Sequence, residues 1–491
     1  MKKLNILFAS SEVVPFAKTG GLADVSGMLP RVLANMGHFV KVFMPKYGTI
    51  DKSLLKNAHK DLVTVIPMSD GPRTLELYRI SDNNLDYDTH FIGNDFYFGR
   101  PELYRDTKTG KDFVDNDDRF IFFCRGILEV LKKIDFVPDI IHANDWQTAL
   151  LPTFLKTKYV DDKFFAQTKS IFTIHNLAYQ GLFPAKSFVK LGLDKKLFYA
   201  TGPFEFWDKL NLMKSAIHYA DKINTVSETY AKEIQSSEEL GAGLQGVLTE
   251  RKKDVSGIIN GVDYQEWSPS KDKLIPHKFS SVNLSGKRMS KIELMKRIGL
   301  PDREHIPLIG MISRLADQKG FDLVREAGKN IMQLDIQMII LGTGEEKYHK
   351  WLVRLQDKHP DKLKVLLKYD NELAHWIEAA ADIFLMPSRY EPCGLNQLYS
   401  LKYGTIPIVR KTGGLADTIE NADFDTGIGT GLVFEDYDSK EMLAAIKYAL
   451  PYYMKKRKWR KIMKNGMEKD YSWSASAEKY IELYKKTISS G

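Results

Sequence analysis

Cysteine is almost missing from this chain: 491 residues contain two, Cys124 and Cys393. Two thiols give no disulfide framework, and the protein is expected in a reducing cytoplasm. Long apolar runs are missing too. None reaches the roughly 20 residues that cross a bilayer, so no membrane partner is expected. The opening MKKLNILFASSEVVPF joins a basic start to a short apolar run, but Ser10, Ser11 and Glu12 follow at once, and the stretch reads as a first strand rather than a secretory signal. Charge of one sign is in modest excess only, 71 Lys and Arg against 63 Asp and Glu, a net +8. Part of it sits in residues 455–469, KKRKWRKIMKNGMEK, where Trp459, Ile462, Met463 and Met467 recur at helical spacing. An amphipathic helix with a solvated basic face accounts for that run, so no nucleic acid partner is expected. A basic protein would still attract a phosphorylated substrate.

What is present is a soluble globular composition, 43% hydrophobic and 27% charged, on a chain long enough for two large domains or three small ones. Short apolar runs alternate with helical patterns. In the first half the strands are expected at 5–9, 40–44, 139–143, 170–173 and 222–225, with helices at 23–36 and 117–133. In the second half strands fall at 307–312, 337–341, 364–367, 383–386, 406–409 and 432–434. Helices there fall at 320–332, 345–359, 372–380 and 439–450. Such alternation argues for parallel sheets covered by helices, and so for an α/β chain of two doubly wound domains. The turn-rich INGVDYQEWSPSKDK marks a linker at 259–273, between domains at 1–258 and 274–469.

One heptapeptide, KTGGLAD, occurs twice, at residues 18–24 and 411–417. Each copy follows an expected strand and precedes an expected helix, at 23–36 and 417–421. Glycines let a backbone come close to a ligand, and a helix start offers free N–H groups to an anion. Two such loops facing each other across a cleft would hold one substrate from both sides; a Gly-Gly turn also needs no ligand.

Seven motifs occur in order: KTGGLADVSGMLP from Lys18, HANDWQT from His142, FTIHNLAYQG from Phe172, IINGVD from Ile258, SRLADQKGFDL from Ser313, EPCGLNQLYSL from Glu391 and TGGLADTI from Thr412. Together they resemble the bacterial glycogen synthases and plant starch synthases, which are retaining glucosyltransferases of the GT-B fold, and the likeness spans nearly the whole chain. It implies two Rossmann-like domains facing a deep interdomain cleft, with an acceptor-side first domain and a nucleotide-sugar-binding second one. It also makes 470–491, with YSWSASAEKYIELY, a helix crossing back to the first domain.

The residues make chemical sense in that light. Glucosyl transfer from a nucleotide sugar needs a stabilised leaving diphosphate, a held sugar and a placed acceptor hydroxyl. Arg314 and Lys319, five apart after a strand, suit a pyrophosphate. The resemblance gives them that role, and makes Lys18 a further phosphate contact within the loop of Gly20, Gly21 and Asp24. Lys411 has no such match and is read as surface, while Thr412, Gly413 and Gly414 are expected as backbone lining the cleft. Glu391 is expected on the donor sugar and Asn260 likewise, with main-chain N–H groups at Gly394, Leu395 and Asn396 open to a phosphate. Cys393 reads as a packing residue rather than a nucleophile. The resemblance makes His175 a donor-sugar contact and Asp145 a polar group near the reacting carbon. A His–Asp pair also suits acid–base catalysis or a metal, but Asn144 stands where some members have His, and no carboxylate pair marks a metal site. Tyr97, Trp146 and Tyr179 are candidate acceptor-lining aromatics. The expected substrates are ADP-glucose and an α-1,4-glucan, with no metal and no cofactor. UDP-glucose, a sucrose-type or cell-wall acceptor, a pyridoxal-dependent phosphorylase and a non-catalytic glucan-binding scaffold are the alternatives.

Overall fold

Runs such as NILFA (β1, Asn5–Ala9) carry apolar residues on both faces, so they are stable only where both faces are covered, as in a parallel sheet between helices. The computed structural model describes residues 3–82, 84–106 and 108–490, and the chain divides into two compact units. Unit 1 comprises Met1–Val226, Ala231–Gly261 and Trp473–Gly491; unit 2 comprises Ser227–Tyr230 and Val262–Ser472.

Among the described residues, unit 1 contains β1 followed by β2 (Phe39–Pro45), β3 (His59–Met68), β4 (Gly71–Asp82), β5 (Tyr87–Gly93), β6 (Ile140–Asn144) and β7 (Lys169–Ile174). Then come β8 (Leu182–Pro184), β9 (Glu205–Phe206), β10 (Lys209–Asn211), β11 (Lys222–Thr225) and β12 (Val255–Gly257). Nine of them form one sheet in the order β12-β11-β7-β6-β1-β2-β5-β4-β3. Pairing is parallel from β12 to β5, and β4 and β3 add an antiparallel edge. β8, β10 and β9 form a small separate sheet. The helix Trp473–Ser489 belongs to this unit. Its Tyr484 hydroxyl lies 2.7 Å from His142 Nδ1, and its Tyr480 hydroxyl accepts from Asn224 Nδ2 at 3.2 Å.

Unit 2 contains β13 (Leu308–Ile312), β14 (Gln337–Leu341), β15 (Leu363–Leu366), β16 (Ile383–Met386), β17 (Ile406–Arg410) and β18 (Leu432–Phe434), all parallel, in the order β15-β14-β13-β16-β17-β18. Renumbered within the unit this is 3-2-1-4-5-6, the order of dinucleotide-binding sheets. A core cluster on one face joins Ile309, Ile383 and Ile408 of the sheet to Phe321, Val324 and Ile446 of its helices.

The eleven strands expected from the sequence are present within one residue at each end. The antiparallel edge strands β3 and β4 are not among the strands expected from the sequence, nor is β5, which pairs parallel with β2. Val63 and Val65 on β3 are more than half exposed, and alternating strands of this kind lack the continuous apolar run of a central parallel strand. The helix expected at 417–421 instead occupies Gly413–Thr418, so the Gly-Gly pair starts that helix rather than preceding it.

Candidate active site

In a doubly wound sheet, ligands bind beyond the carboxyl ends of the strands, where the strand order reverses. In unit 2 that point lies between β13 and β16. The loop leaving β13 carries Arg314 and Lys319, and the loop leaving β16 carries Glu391. Lys319 Nζ lies 2.6 Å from Glu391 Oε2, and Ser388 Oγ donates to the same oxygen at 3.1 Å. The Glu391 side chain is 8% exposed, so this is a nearly buried pair rather than a surface one. Arg314 is exposed, and its Nη2 donates to Gln318 Oε1 at 3.0 Å. The Arg410 guanidinium fastens the Glu391 loop by donating to the carbonyls of Ser388, at 2.9 Å, and Arg389.

The second heptapeptide packs against that same loop. Gly413 has φ +42°, and a Cβ there would stand 2.0 Å from the Glu391 carbonyl oxygen; one at Gly414 would stand 2.0 Å from that of Cys393. Gly414 N donates to Glu391 O at 3.1 Å. Thr412, Gly413 and Gly414 are buried. The space a side chain would need at Gly413 and Gly414 is filled by the 391–393 backbone. Lys411 lies on the surface, 2.7 Å from Glu435. Cys393 is buried. Gln397 Nε2 donates to the carbonyls of Cys393 and Gly394 at 3.0 Å each, and Asn396 Nδ2 to Ile312 O at 2.9 Å. Leu395 caps the helix Asn396–Lys402, and Gly394 takes φ +71°.

In unit 1 the strand order reverses between β1 and β6. The first heptapeptide lies on the loop from β1, and a Cβ on Gly20 would meet nothing within 4 Å. Gly21 opens the helix Gly21–Asn35, and Gly20 supplies no side-chain cap. Lys18 Nζ is exposed and pairs with Asp24 Oδ1 at 2.6 Å. The loop is held from beneath by buried Glu12. Its carboxylate accepts from Thr19 N, from Thr19 Oγ1 at 2.6 Å, from Gly20 N at 3.2 Å and from the Tyr104 hydroxyl at 2.9 Å.

Asp145 follows β6 with φ +55°, a left-handed conformation uncommon outside glycine. Its Oδ1 accepts from His175 N, just past β7, at 2.8 Å. Burial raises the Asp145 carboxyl to about 7, and bonds from the His175 and Asn176 backbone hold it from rising further. Burial lowers His175 to about 3, so its ring is neutral. Asn144 Nδ2 donates to Ala9 O at 3.0 Å, so its Oδ1 must accept from His175 Nε2, 2.9 Å away. Nε2 therefore carries the proton and Nδ1 is left as an acceptor. Asn260 is buried, and its Oδ1 has no hydrogen-bond partner among the described residues. Such an orphan is uncommon and suits a ligand contact.

The family described as Starch synthase catalytic domain matches residues 5–250, and that described as Glycosyl transferases group 1 matches 292–466. A glycogen synthase of Koribacter versatilis is 46% identical over 484 residues, covering 98% of both chains. One from Geotalea daltonii is 46% identical over 485 residues, covering 99% of both. The chain belongs to the glycogen and starch synthase family. It is thus a glucosyltransferase, and its two Rossmann-like units are those of the GT-B fold. Among solved structures it is similar to the catalytic domain of starch synthase IV from Arabidopsis thaliana bound to ADP and acarbose, with a TM-score of 0.89 and 33% identity over 99% of this chain and all of that one. Sucrose-phosphate synthase from Thermosynechococcus elongatus, at 17% identity and a TM-score of 0.59, shares the fold.

Two features of this synthase-family site escaped the sequence. Glu12 is a lone carboxylate in no motif, and only the fold shows that it carries the Lys18 loop. The Lys319–Glu391 pair joins two residues read separately, because 72 residues part them. Among the aromatics, Tyr179 is 49% exposed and Trp146 half-buried against Phe120 and Phe183. Tyr97 is corrected. It is 1% exposed, with its ring packed on Phe96 and Phe122, and offers no free face for a sugar. Among the described residues, no helix is long and apolar enough to cross a membrane, and no group of three or more His, Cys, Asp or Glu could hold a metal ion.

Proposed function

We propose that the protein transfers glucose from ADP-glucose to the non-reducing end of an α-1,4-glucan, with retention of configuration and without a divalent metal. The observation that carries this reading is the placing of Arg314 and the Lys319–Glu391 pair in the two loops flanking the switch point of a dinucleotide-order sheet. The Arabidopsis relative that carries ADP and acarbose supports a nucleotide-sugar donor and a glucan acceptor. Two buried cysteines that form no disulfide fit a reducing cytoplasm.

In the proposed reaction the bond from the anomeric carbon to the diphosphate oxygen breaks, and a bond from that carbon to the acceptor hydroxyl oxygen forms on the same face. The acceptor proton passes to the departing diphosphate oxygen. Arg314 and Lys319 stabilise the charge that grows on that oxygen. Lys18 contacts the donor phosphates. Glu391, Asn260 and the Nδ1 acceptor of His175 take hydrogen bonds of the sugar, and the Asp145 carboxylate stabilises positive charge developing at the anomeric carbon. This route does not require Glu391 as a covalent nucleophile; its Oε2 accepts from Lys319 and Ser388.

A donor competition tests the assignment. With glycogen as acceptor, ADP-glucose should be used at a kcat/KM at least tenfold above that of UDP-glucose, and NMR should show the new linkage to be α. Equal use of both donors, or a β-linked product, would overturn it.

A further inference from the structure

Apart from the switch-point loops, unit 2 contains a cavity of 960 Å³. It lies between the helix Lys456–Met467, the stretch 281–285 entering the helix Ser285–Ile298, and the loop 424–427. Six cations line it: Arg288, Arg457, Lys458, Arg460, Lys461 and Lys464. One carboxylate, Asp425, faces them. It shares no residue with the donor-side loops.

The basic helix arranges this charge. Positions 457, 460, 461 and 464 fall at helical spacing on one face, while Trp459, Ile462 and Met463 are buried in the core. Neutralisation is incomplete. Lys458 pairs with Asp425, Arg288 with Glu304, and Lys464 stands 3.5 Å from Glu468. Arg457, Arg460 and Lys461 have no acidic partner among the described residues. The walls are fixed as well. Asn465 Nδ2 donates to the carbonyls of Gly427 and Gly429 at 3.0 and 2.9 Å, tying the loop to the helix. Phe424 stacks between Tyr452 and Trp459, with centroids 4.7 and 5.4 Å away. At Gly427, φ is +75° and a Cβ would come within 3.0 Å of Lys461 Cγ, so the glycine lets the loop lie against that lysine stem.

We infer that this cavity is a binding site for a small metabolite carrying two or more phosphate charges. Two guanidinium groups suit phosphate oxygens bidentately, and an ammonium adds a point charge beside them. The volume is that of a small-ligand pocket. From 457 to 464 the stripe runs about 10 Å along the helix, enough to reach two phosphates. A concave site of this extent fits a compact anion better than an extended nucleic-acid backbone. The unpartnered cations repel one another, and such a ligand relieves that repulsion.

The test is calorimetric titration of the full-length protein with inorganic pyrophosphate at about 0.15 M salt, where surface charges are screened beyond roughly 8 Å. It is run on the Arg314→Ala background, so that donor-site binding does not mask the result. A saturable site is expected there. Adding Arg457→Ala, Arg460→Ala and Lys461→Ala should weaken it about tenfold or more, for the loss of charged hydrogen bonds. With Arg314 restored, the triple variant should keep wild-type turnover at saturating substrates, which shows that the fold is intact and that the site is separate from catalysis. Equal pyrophosphate binding with and without the three cations would overturn the proposal. So would a short DNA duplex held by the same three residues that pyrophosphate fails to displace.

Discussion

Lys18 and Lys411 occupy the same place in the same seven residues. Lys18 sits beside a Gly20 with open space around it, on a loop carried by Glu12. Lys411 points to the surface and Glu435, above a Gly-Gly pair already filled by neighbouring backbone. Lys18→Ala is therefore expected to lower kcat/KM for the donor by about 1.5–3 kcal/mol, the worth of a charged hydrogen bond, and Lys411→Ala to leave it unchanged. Steady-state kinetics on the two variants checks this; equal losses would remove the asymmetry. Asp145 gives a second residue-scale expectation. Its carboxyl titrates near 7, because burial disfavours the charged form. If the carboxylate is the working form, kcat/KM rises with pH through about 7, and Asp145→Asn removes that step from the profile. For stability the sign is opposite. The folded chain keeps this proton to higher pH than the unfolded one, so the contribution is present below the ordinary carboxylate range and is lost between about 4 and 7.

The two Gly-Gly turns differ at the level of elements in a way their shared sequence does not express. Gly20 is extended, a backbone any residue adopts, and its surroundings are open. Gly413 is left-handed and abuts the Glu391 carbonyl. Gly20→Ala should leave the melting temperature within experimental error while raising the donor KM, since an added methyl occupies the space a ligand would approach. Gly413→Ala should cost at least about 2 kcal/mol of stability, from positive φ and backbone displacement. Thermal and denaturant unfolding of both variants measures the difference, and equal stability would contradict the packing account. The motif was legible in the sequence because it is seven residues long and identical. Which copy is open and which is filled was not, because the filling comes from residues 391–393, outside the repeat. The same reason hid the support that Glu12 gives to the first loop.

For the whole molecule, the central parallel strands were legible because each is an apolar run, and β3 and β4 at the antiparallel edge were not, because their exposed positions break that pattern. The order 3-2-1-4-5-6 of unit 2 is the tertiary fact that brings Arg314 and Lys319 to the same end of the sheet as Glu391. The central claim is that these cations, without a divalent ion, carry the charge of the departing diphosphate. It is tested most directly by incorporation of radiolabelled glucose from ADP-glucose into glycogen in excess chelator, with wild type and Arg314→Ala side by side. Wild-type transfer should persist undiminished, and Arg314→Ala should lose about 100- to 1,000-fold in kcat with a smaller change in donor binding. Activity abolished by the chelator and restored by magnesium or manganese, or an Arg314→Ala enzyme of normal turnover, would contradict it.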